Sequence, residues 1–400
     1  MARNVTKIWE ITNLFGNFKS SSAVRTMEFQ YSEVVDPSSY ETEGHSGGIE
    51  VRKSKLTELE DRGAIRAHQD WSRHVGPCKG YRGGLGPEYS FVSVVMPECI
   101  PERMEVVAYA NEFAFMYDDI VECMGCDVAF QGQAENNEIM NEFLEASQML
   151  SRKDSHAMTD GKAGKKRIQS LIFSEMLSID PECAKTTMKA WAWFIEVGSA
   201  REHDMRFKSM AEYIPYRIRD VGEMYWYGVV TFGMGLRIPD HETEHCQALV
   251  APAWIAVGLQ NDLLSWPKEV AAARAQGKDH VINSIWVLMQ EHRIGVFEAM
   301  QICRGLIKGY VAEYLEIVET HKDNEALSGD LRRYLVAIKY SISGHLVWSL
   351  NCPIYNPEVT FNKKQRLWMC NGVPVLSSSL DLTTRRRESG YVGDGATVFA

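Results

Sequence analysis

The chain has 400 residues, of which 45% are hydrophobic and 24% are charged, and its formal net charge is −10. This composition can bury a large core and excludes a disordered chain. The negative charge argues against a general nucleic-acid binder, which would need a basic surface for the phosphate backbone. No window reaches roughly 18 uncharged apolar residues, so we expect no membrane-spanning helix. The nine cysteines lie scattered without a disulfide framework, which predicts reduced thiols and a cytoplasmic location.

Long amphipathic segments punctuated by Gly and Pro run through the chain, and strand-like alternation is rare. This pattern predicts an all-α fold. The predicted helices cover roughly residues 60–74, 101–124, 134–151, 164–178, 181–203, 208–235, 241–266, 279–291, 295–322 and 327–351.

An acidic stretch lies near the end of the second predicted helix. Asp118 and Glu122 are four residues apart, so they share one helix face, and Asp119 is expected to face outward. No Cys or His accompanies these oxygen ligands, a combination that suits magnesium rather than zinc.

A second stretch carries oxygen-bearing side chains at four-residue steps. Asn261, Ser265 and Glu269 share a helix face, whereas Asp262 points about 100° away from Asn261 and is not expected to be a ligand. Pro267 lies within the stretch, so either the helix ends near Ser265 or a kink orients Glu269. If the two stretches face each other across a helical barrel, they form the mouth of a pocket that ionises a diphosphate.

Together these stretches resemble the aspartate-rich motif and the Asn/Ser/Glu magnesium triad of class I terpene cyclases. The matches extend from about residue 75 to about residue 357 in the family's order. The resemblance implies a single class I terpenoid synthase helical barrel over residues 26–375, with the active-site cavity between the helices. It also implies an N-terminal segment, residues 1–25, that caps the active site. The composition of residues 376–400 predicts a disordered tail.

The resemblance assigns further roles around a diphosphate. Arg217 would be the diphosphate sensor, and the alternative is that it forms a surface ion pair without a role in binding. Asp220 would couple that sensor to a helix break at Val221–Gly222, whose carbonyl would point into the cavity. Lys268 and Tyr355 would also contact the diphosphate.

One position departs from the family pattern. Ile354 stands where an arginine usually precedes the tyrosine, so one phosphate contact is lost unless Lys339 or another residue supplies it.

Three aromatic residues match cavity positions of the family's diterpene-forming members. They are Phe115, one turn before Asp118, and Trp226 and Trp348. Aromatic faces stabilise a nearby cation by roughly 0.5–2 kcal/mol each. Without this match to the family's motifs, aromatic residues at helical spacing would be interpreted as ordinary core residues.

The features Gly86–Glu88, Pro97–Arg103 and Trp348-Ser349-x-x-Cys352-Pro353 resemble the cyclase domains of fungal two-domain terpene synthases. The resemblance implies a Mg²⁺-dependent cyclase that binds three ions and converts geranylgeranyl diphosphate to a polycyclic diterpene. The alternative substrate is the C25 geranylfarnesyl diphosphate. We expect a separate prenyltransferase to supply the substrate, and a homodimer is compatible with the sequence.

Three readings compete with this one. The sequence His241-Glu242-Thr243-Glu244-His245 matches the zinc-protease pattern H-E-x-x-H, but it follows Pro239-Asp240 and is expected to start a helix. A prenyl-elongating synthase would carry two Asp-Asp-x-x-Asp motifs, which this chain lacks. A non-catalytic relative that binds prenyl diphosphates is the third reading.

Overall fold

The computed structural model describes residues 29–77, 83–123, 161–199 and 205–373. Within these ranges the side chains of residues 118–123, 161–163 and 195–199 lie outside the description. The described chain is mostly helical, as the sequence predicts, and the predicted helix at 134–151 lies outside it. None of its helices is long and apolar enough to cross a membrane.

The described ranges contain twelve α-helices. They are α1 (Thr57–His74), α2 (Phe91–Val95), α3 (Pro101–Cys123), α4 (Gly161–Ile179), α5 (Pro181–Ser199), α6 (Met210–Asp220), α7 (Glu223–Met234), α8 (Thr243–Ala275), α9 (Ser284–His292), α10 (Val296–His321), α11 (Gly329–Asn351) and α12 (Lys363–Asn371). Short 3-10 turns lie at Pro37–Ser39 and Asp240–Glu242.

A two-stranded antiparallel sheet precedes the helices. Strand β1 (Ser32–Val34) pairs with β2 (Arg52–Ser54), with Ser32 opposite Ser54. The carboxylate of Glu98 accepts hydrogen bonds from the backbone N–H groups of Gln30 and Tyr31, which fixes the start of the hairpin against the helical body. The hairpin was not predicted from the sequence, because each strand has only three residues.

The core lies between the long helices. Helix α8 packs against both α10 and α11, α1 packs on α3, and α5 packs on α7. The largest fully buried side chains include Trp71, Trp348, Tyr213, Tyr314 and Phe113. Because α8 is covered by helices on several sides, its central polar residues Gln260, Asp262 and Ser265 are buried among other protein groups.

Local sequence signals account for several helix ends. The side chains of Ser209 and Ser328 accept backbone N–H bonds as N-caps of α6 and α11, and Asn362 forms a capping box with Gln365 at α12. Helices α6 and α7 are separated by Val221–Gly222, where Gly222 has φ = 87°. Only glycine adopts this backbone conformation without strain, so Gly222 determines the position of the break between the two helices.

Some predicted boundaries are wrong. The helix predicted over 208–235 is interrupted at Val221–Gly222, where the resemblance implies a break, and the helix predicted to end at residue 266 continues through Pro267 to Ala275. Helices α2 and α12 were not predicted at all. The expected start of a helix after Pro239-Asp240 is confirmed, because the Asp240–Glu242 turn leads directly into α8.

Candidate active site

The three predicted triad residues lie on α8 at four-residue steps. The Ser265 hydroxyl donates to Oε1 of Glu269 over 2.5 Å, and Nδ2 of Asn283 donates to Oε2 over 3.0 Å. Burial raises the pKa of Glu269, an effect that Asp262 reinforces and that the bonds from Ser265 and Asn283 oppose. The carboxylate is therefore held in place by neutral donors, at a position where a cation would favour its charged form.

Arg217, near the end of α6, reaches across to α8. Its Nη2 donates to Oδ1 of Asn261 over 2.6 Å, its Nη1 donates to Asp220, and its Nε lies 2.9 Å from Oδ1 of Asp262. Only 13% of the side chain is exposed. Gly258 leaves room for this crossing, because a methyl group there would lie 3.1 Å from Cγ of Arg217. Arg217 is thus largely buried and contacts three polar residues, so it is not the surface ion pair that was the alternative interpretation.

Asp262 balances the buried guanidinium. Its carboxylate accepts hydrogen bonds from the Tyr213 hydroxyl (2.8 Å) and the Ser284 backbone N–H (3.0 Å). Burial would lower the pKa of Arg217, but Asp262 and the neighbouring acids raise it well above its usual value, so Arg217 stays charged. Asp262 is accordingly an ion-pair partner of Arg217. Its exclusion from the ligand set stays a prediction.

Tyr355 joins the same group of residues. Nδ2 of Asn261 donates to the Tyr355 hydroxyl over 2.8 Å. We refer to Arg217, Asp220, Asn261, Asp262 and Tyr355 as the polar cluster.

Lys268 and Lys339, the two lysines considered as diphosphate contacts, lie at different places. Lys268 is half-buried, and its positive charge lowers the pKa of the Cys352 thiol, against the larger effect of burial. Lys339 instead lines a surface cavity of about 400 Å³ together with Glu50 and Tyr340, outside the polar cluster. Ile354 packs against the core and offers no donor.

The break between α6 and α7 directly follows Asp220. The Val221 N–H donates to the Arg217 carbonyl, and the Trp226 N–H donates to the Gly222 carbonyl. Within the described ranges, no N–H donates to the carbonyl of Val221. Among the described residues the Val221 carbonyl therefore lacks a backbone N–H partner, and its orientation into the cavity stays a prediction.

Asp118 and Glu122 lie in the last turns of α3. Their side chains are outside the described part of the structure, so their approach to the triad stays a prediction.

The predicted cavity aromatics meet around a residue that the sequence analysis missed. The ring of Phe91 lies 5.3 Å from Phe115, 5.4 Å from Trp226 and 4.8 Å from Trp348, measured between ring centroids, and all three contacts are edge-to-face. Phe91 and Phe115 keep partly exposed surface, whereas Trp226 and Trp348 are buried. We call these four residues the aromatic cluster.

Two buried groups hold Phe91 in place. The Gly84 carbonyl accepts both the Phe91 N–H and the Trp348 indole N–H, each over 2.8 Å. The Glu60 carboxyl accepts the N–H groups of Val92 and Ser93, each over 2.7 Å, and so satisfies the N-terminus of α2. The only sequence feature that points to Phe91 is the Gly-rich segment before it, because glycine lets the backbone approach the ring closely. A methyl group on Gly84 would lie 3.1 Å from Cβ of Phe91.

The zinc-protease pattern has structural uses instead. Glu242 accepts hydrogen bonds from the backbone N–H and the hydroxyl of Ser328, the N-cap of α11. Among the described residues, no three His, Cys, Asp or Glu side chains come together as a metal cluster.

The donor set on α8 fits magnesium. Asn261, Ser265 and Glu269 offer an amide oxygen, a hydroxyl and a half-buried carboxylate, and magnesium prefers hard oxygen ligands of this kind. The absence of thiolate or imidazole from the set argues against zinc.

Residues 109–313 match the family model described as "Terpene synthase family 2, C-terminal metal binding". The chain belongs to this terpene synthase family. Arg217, the triad on α8 and the helix break all lie within the matched residues.

Curated relatives cover most of this chain. It is 63% identical over 352 residues to fusicoccadiene synthase from Phomopsis amygdali, covering 88% of this chain and 48% of the relative. It is 41% identical over 355 residues to a bifunctional sesterterpene synthase from Aspergillus aculeatus, covering 88% of this chain and 48% of the relative. The chain therefore spans about half the length of the curated relatives it matches.

Solved structures support the fold. Aristolochene synthase from Penicillium roqueforti superposes with a TM-score of 0.59 at 19% identity, covering 74% of this chain and 94% of that one. The all-α terpenoid synthase fold predicted from the sequence is confirmed.

Proposed function

We propose that this chain is a Mg²⁺-dependent type I terpene cyclase that converts geranylgeranyl diphosphate to a polycyclic diterpene and releases diphosphate. The hydrogen bond between Arg217 and Asn261 is the observation that carries the proposal. The Arg217 guanidinium is suited to bind phosphate oxygens, and Asn261 belongs to the proposed metal-ligand triad. Because the two side chains are in contact, one bound diphosphate would reach both Arg217 and the metal ions.

The ligands proposed for magnesium are Asp118, Glu122, Asn261, Ser265 and Glu269, and we propose three ions. When bound, the metal would neutralise the diphosphate and make it a better leaving group. Arg217 would donate to phosphate oxygens, and Lys268 and Tyr355 would add further contacts. Asp220 would connect the movement of Arg217 to Val221 and Gly222.

The aromatic cluster would supply the environment for the carbocation. Its four rings exclude water, and the faces of Phe91 and Phe115 that remain partly exposed can stabilise positive charge. Ring closure is then favoured over capture by water.

The relative at 63% identity makes a diterpene, which supports the C20 substrate over the C25 alternative carried by the sesterterpene synthase at 41%. The domain division at residues 26–375, the capping segment 1–25 and the tail 376–400 stay predictions. So do the cytoplasmic location, a homodimer and a separate prenyltransferase, and the A. aculeatus relative is itself named bifunctional.

Incubation of the protein with C10, C15, C20 and C25 prenyl diphosphates and Mg²⁺, followed by gas chromatography and mass spectrometry, tests the proposal. We expect a cyclic C20 hydrocarbon and stoichiometric diphosphate. A cyclic product from the C25 substrate alone would select the sesterterpene alternative. Binding of prenyl diphosphate without release of diphosphate from any substrate would identify the chain as a non-catalytic relative.

A further inference from the structure

A buried chain of polar groups runs beside the aromatic cluster. Nε2 of Gln260 donates to the His45 carbonyl over 3.3 Å, and Oε1 of Gln260 lies 3.2 Å from Nδ1 of His345. Nε2 of His345 lies 3.5 Å from the Ser349 hydroxyl. Gln260, His345 and Ser349 are each at most 5% exposed. The roles proposed for the polar cluster and the triad use none of these three side chains.

The orientation of the Gln260 amide fixes the tautomer of His345. A backbone carbonyl can only accept, so the NH₂ group of Gln260 must face His45 and its oxygen must face His345. An amide oxygen also only accepts, so Nδ1 of His345 must carry the proton. Nε2 therefore has the lone pair.

The imidazole belongs to the wall of the aromatic cluster. Its ring centroid lies 6.5 Å from that of Phe91, nearly perpendicular to it, and 6.1 Å from that of Trp348. Burial lowers the pKa of His345 to about 3, and the charge of Arg217 acts in the same direction. The ring is thus neutral at physiological pH and adds a Brønsted base to a set of hydrocarbon surfaces.

We propose that Nε2 of His345 accepts the proton that ends the carbocation cascade. This inference rests on the proposed cyclase function. A C–H bond next to the cationic carbon breaks, its electron pair forms the new C=C bond, and the proton bonds to Nε2. Before the transfer the Ser349 hydroxyl, 3.5 Å away, can only donate to the Nε2 lone pair, so it turns away as the C–H bond approaches. It then accepts from the new N–H, while Nδ1 continues to donate to Gln260. The proton passes to water when the product leaves.

A purely structural role makes a different prediction. Gln260 links the loop that carries His45 to α11 through His345, so loss of the ring could simply loosen the packing of these elements. Such loosening would lower the melting temperature and slow all steps together. A terminating base instead affects which product forms and leaves diphosphate release nearly unchanged, because ionisation precedes deprotonation.

The test compares the full chain with His345→Phe and His345→Ala, supplied with geranylgeranyl diphosphate and Mg²⁺. We expect diphosphate release to stay within about threefold of the wild-type rate, and the share of the wild-type product to fall by about tenfold or more. Added imidazole should restore part of that share in His345→Ala, because it supplies the missing base. His321→Ala, at the half-buried end of α10, is the matched control and should keep the wild-type product share.

An unchanged product pattern in His345→Phe and His345→Ala would overturn the inference, and so would a parallel loss of diphosphate release and product that imidazole does not relieve. If both variants fail to fold, Gln260→Leu replaces them, since it removes the acceptor that fixes the tautomer. It should also lower the wild-type product share, and an unchanged pattern would again refute the role of His345. Failure of the proposed function is visible separately, as the lack of a cyclic product from the wild-type chain.

Discussion

Nη2 of Arg217 donates a hydrogen bond of 2.6 Å to Oδ1 of Asn261. The two residues lie on different helices, α6 and α8, and the same guanidinium is bound to Asp220 at the end of α6. Displacement of Arg217 by an anion would therefore act both on the ligand triad and on the break at Val221–Gly222. At the proposed site, diphosphate binding would therefore be coupled to a rearrangement of the triad.

The shape of the guanidinium should matter as much as its charge. We expect Arg217→Lys to lower diphosphate release by about 100-fold, because an ammonium cannot reach Asp220, Asn261 and Asp262 in the fixed planar geometry. Steady-state diphosphate release measures the effect. Arg219→Lys, an exposed change on the same helix, is the control. A rate for Arg217→Lys within a few-fold of wild type would contradict the sensor role.

A methyl group placed against Arg217 tests its position without removing it. In Gly258→Ala the new Cβ would lie 3.1 Å from Cγ of Arg217, so the side chain must shift by a few tenths of an ångström. We expect catalytic turnover to fall by about tenfold with little change in melting temperature.

Gly305→Ala is the matched control for this change, since it adds the same methyl group to α10 where no atom lies within 4 Å. It should leave turnover unchanged and stabilise the protein by roughly 0.5–1 kcal/mol through helix propensity. Equal activity of the two variants would show that the position of Arg217 tolerates movement.

The placement of Asn261, Ser265 and Glu269 on one helix face could be predicted from the sequence, because four-residue steps share a face in any helix. The alternative in which the helix ends near Ser265 is wrong. A proline removes one N–H donor and its ring crowds the preceding turn, but the helix continues past Pro267 to Ala275. The break at Val221–Gly222 was also accessible, since glycine accommodates the positive φ that the break requires.

Phe91 could not be predicted by the same means. Its helix α2 has five residues, too few to show a hydrophobic period, and its position depends on Glu60 and Gly84. The first of these is more than 30 residues away in sequence. The contacts of Lys339 and Tyr355 depend likewise on how distant segments pack together.

A buried acid beside the break should make stability depend on pH. Glu223, in the first turn of α7, is 8% exposed, and burial raises its pKa from 4.5 to about 7. Since the folded-state pKa lies above the unfolded one, the stabilisation is complete below pH 4.5 and is lost as the pH rises through 7. The wild type should therefore lose about 3 kcal/mol relative to Glu223→Gln across this interval.

Denaturant unfolding of both proteins at several pH values between 4.5 and 8 checks this expectation. The glutamine keeps the size of the side chain and cannot ionise, so the difference between the two unfolding free energies isolates the carboxyl group. A difference that stays constant with pH would mean that Glu223 ionises normally in the folded protein.

Phe91 should control the outcome of the reaction more than its rate. Phe91→Leu keeps an apolar side chain against Phe115 and Trp348 but removes the π face, which stabilises a cation by about 0.5–2 kcal/mol. Because such a change alters the partition between competing cations, product ratios should shift by about two- to thirtyfold while diphosphate release stays within about threefold.

Phe297→Leu, at a position 66% exposed on α10, provides the control and should leave both quantities unchanged. Quantitative gas chromatography of the hydrocarbon products decides between the outcomes. If Phe91→Leu gave the wild-type ratios, the ring would serve only to pack α2 against α11, and the cation would lie closer to Trp226.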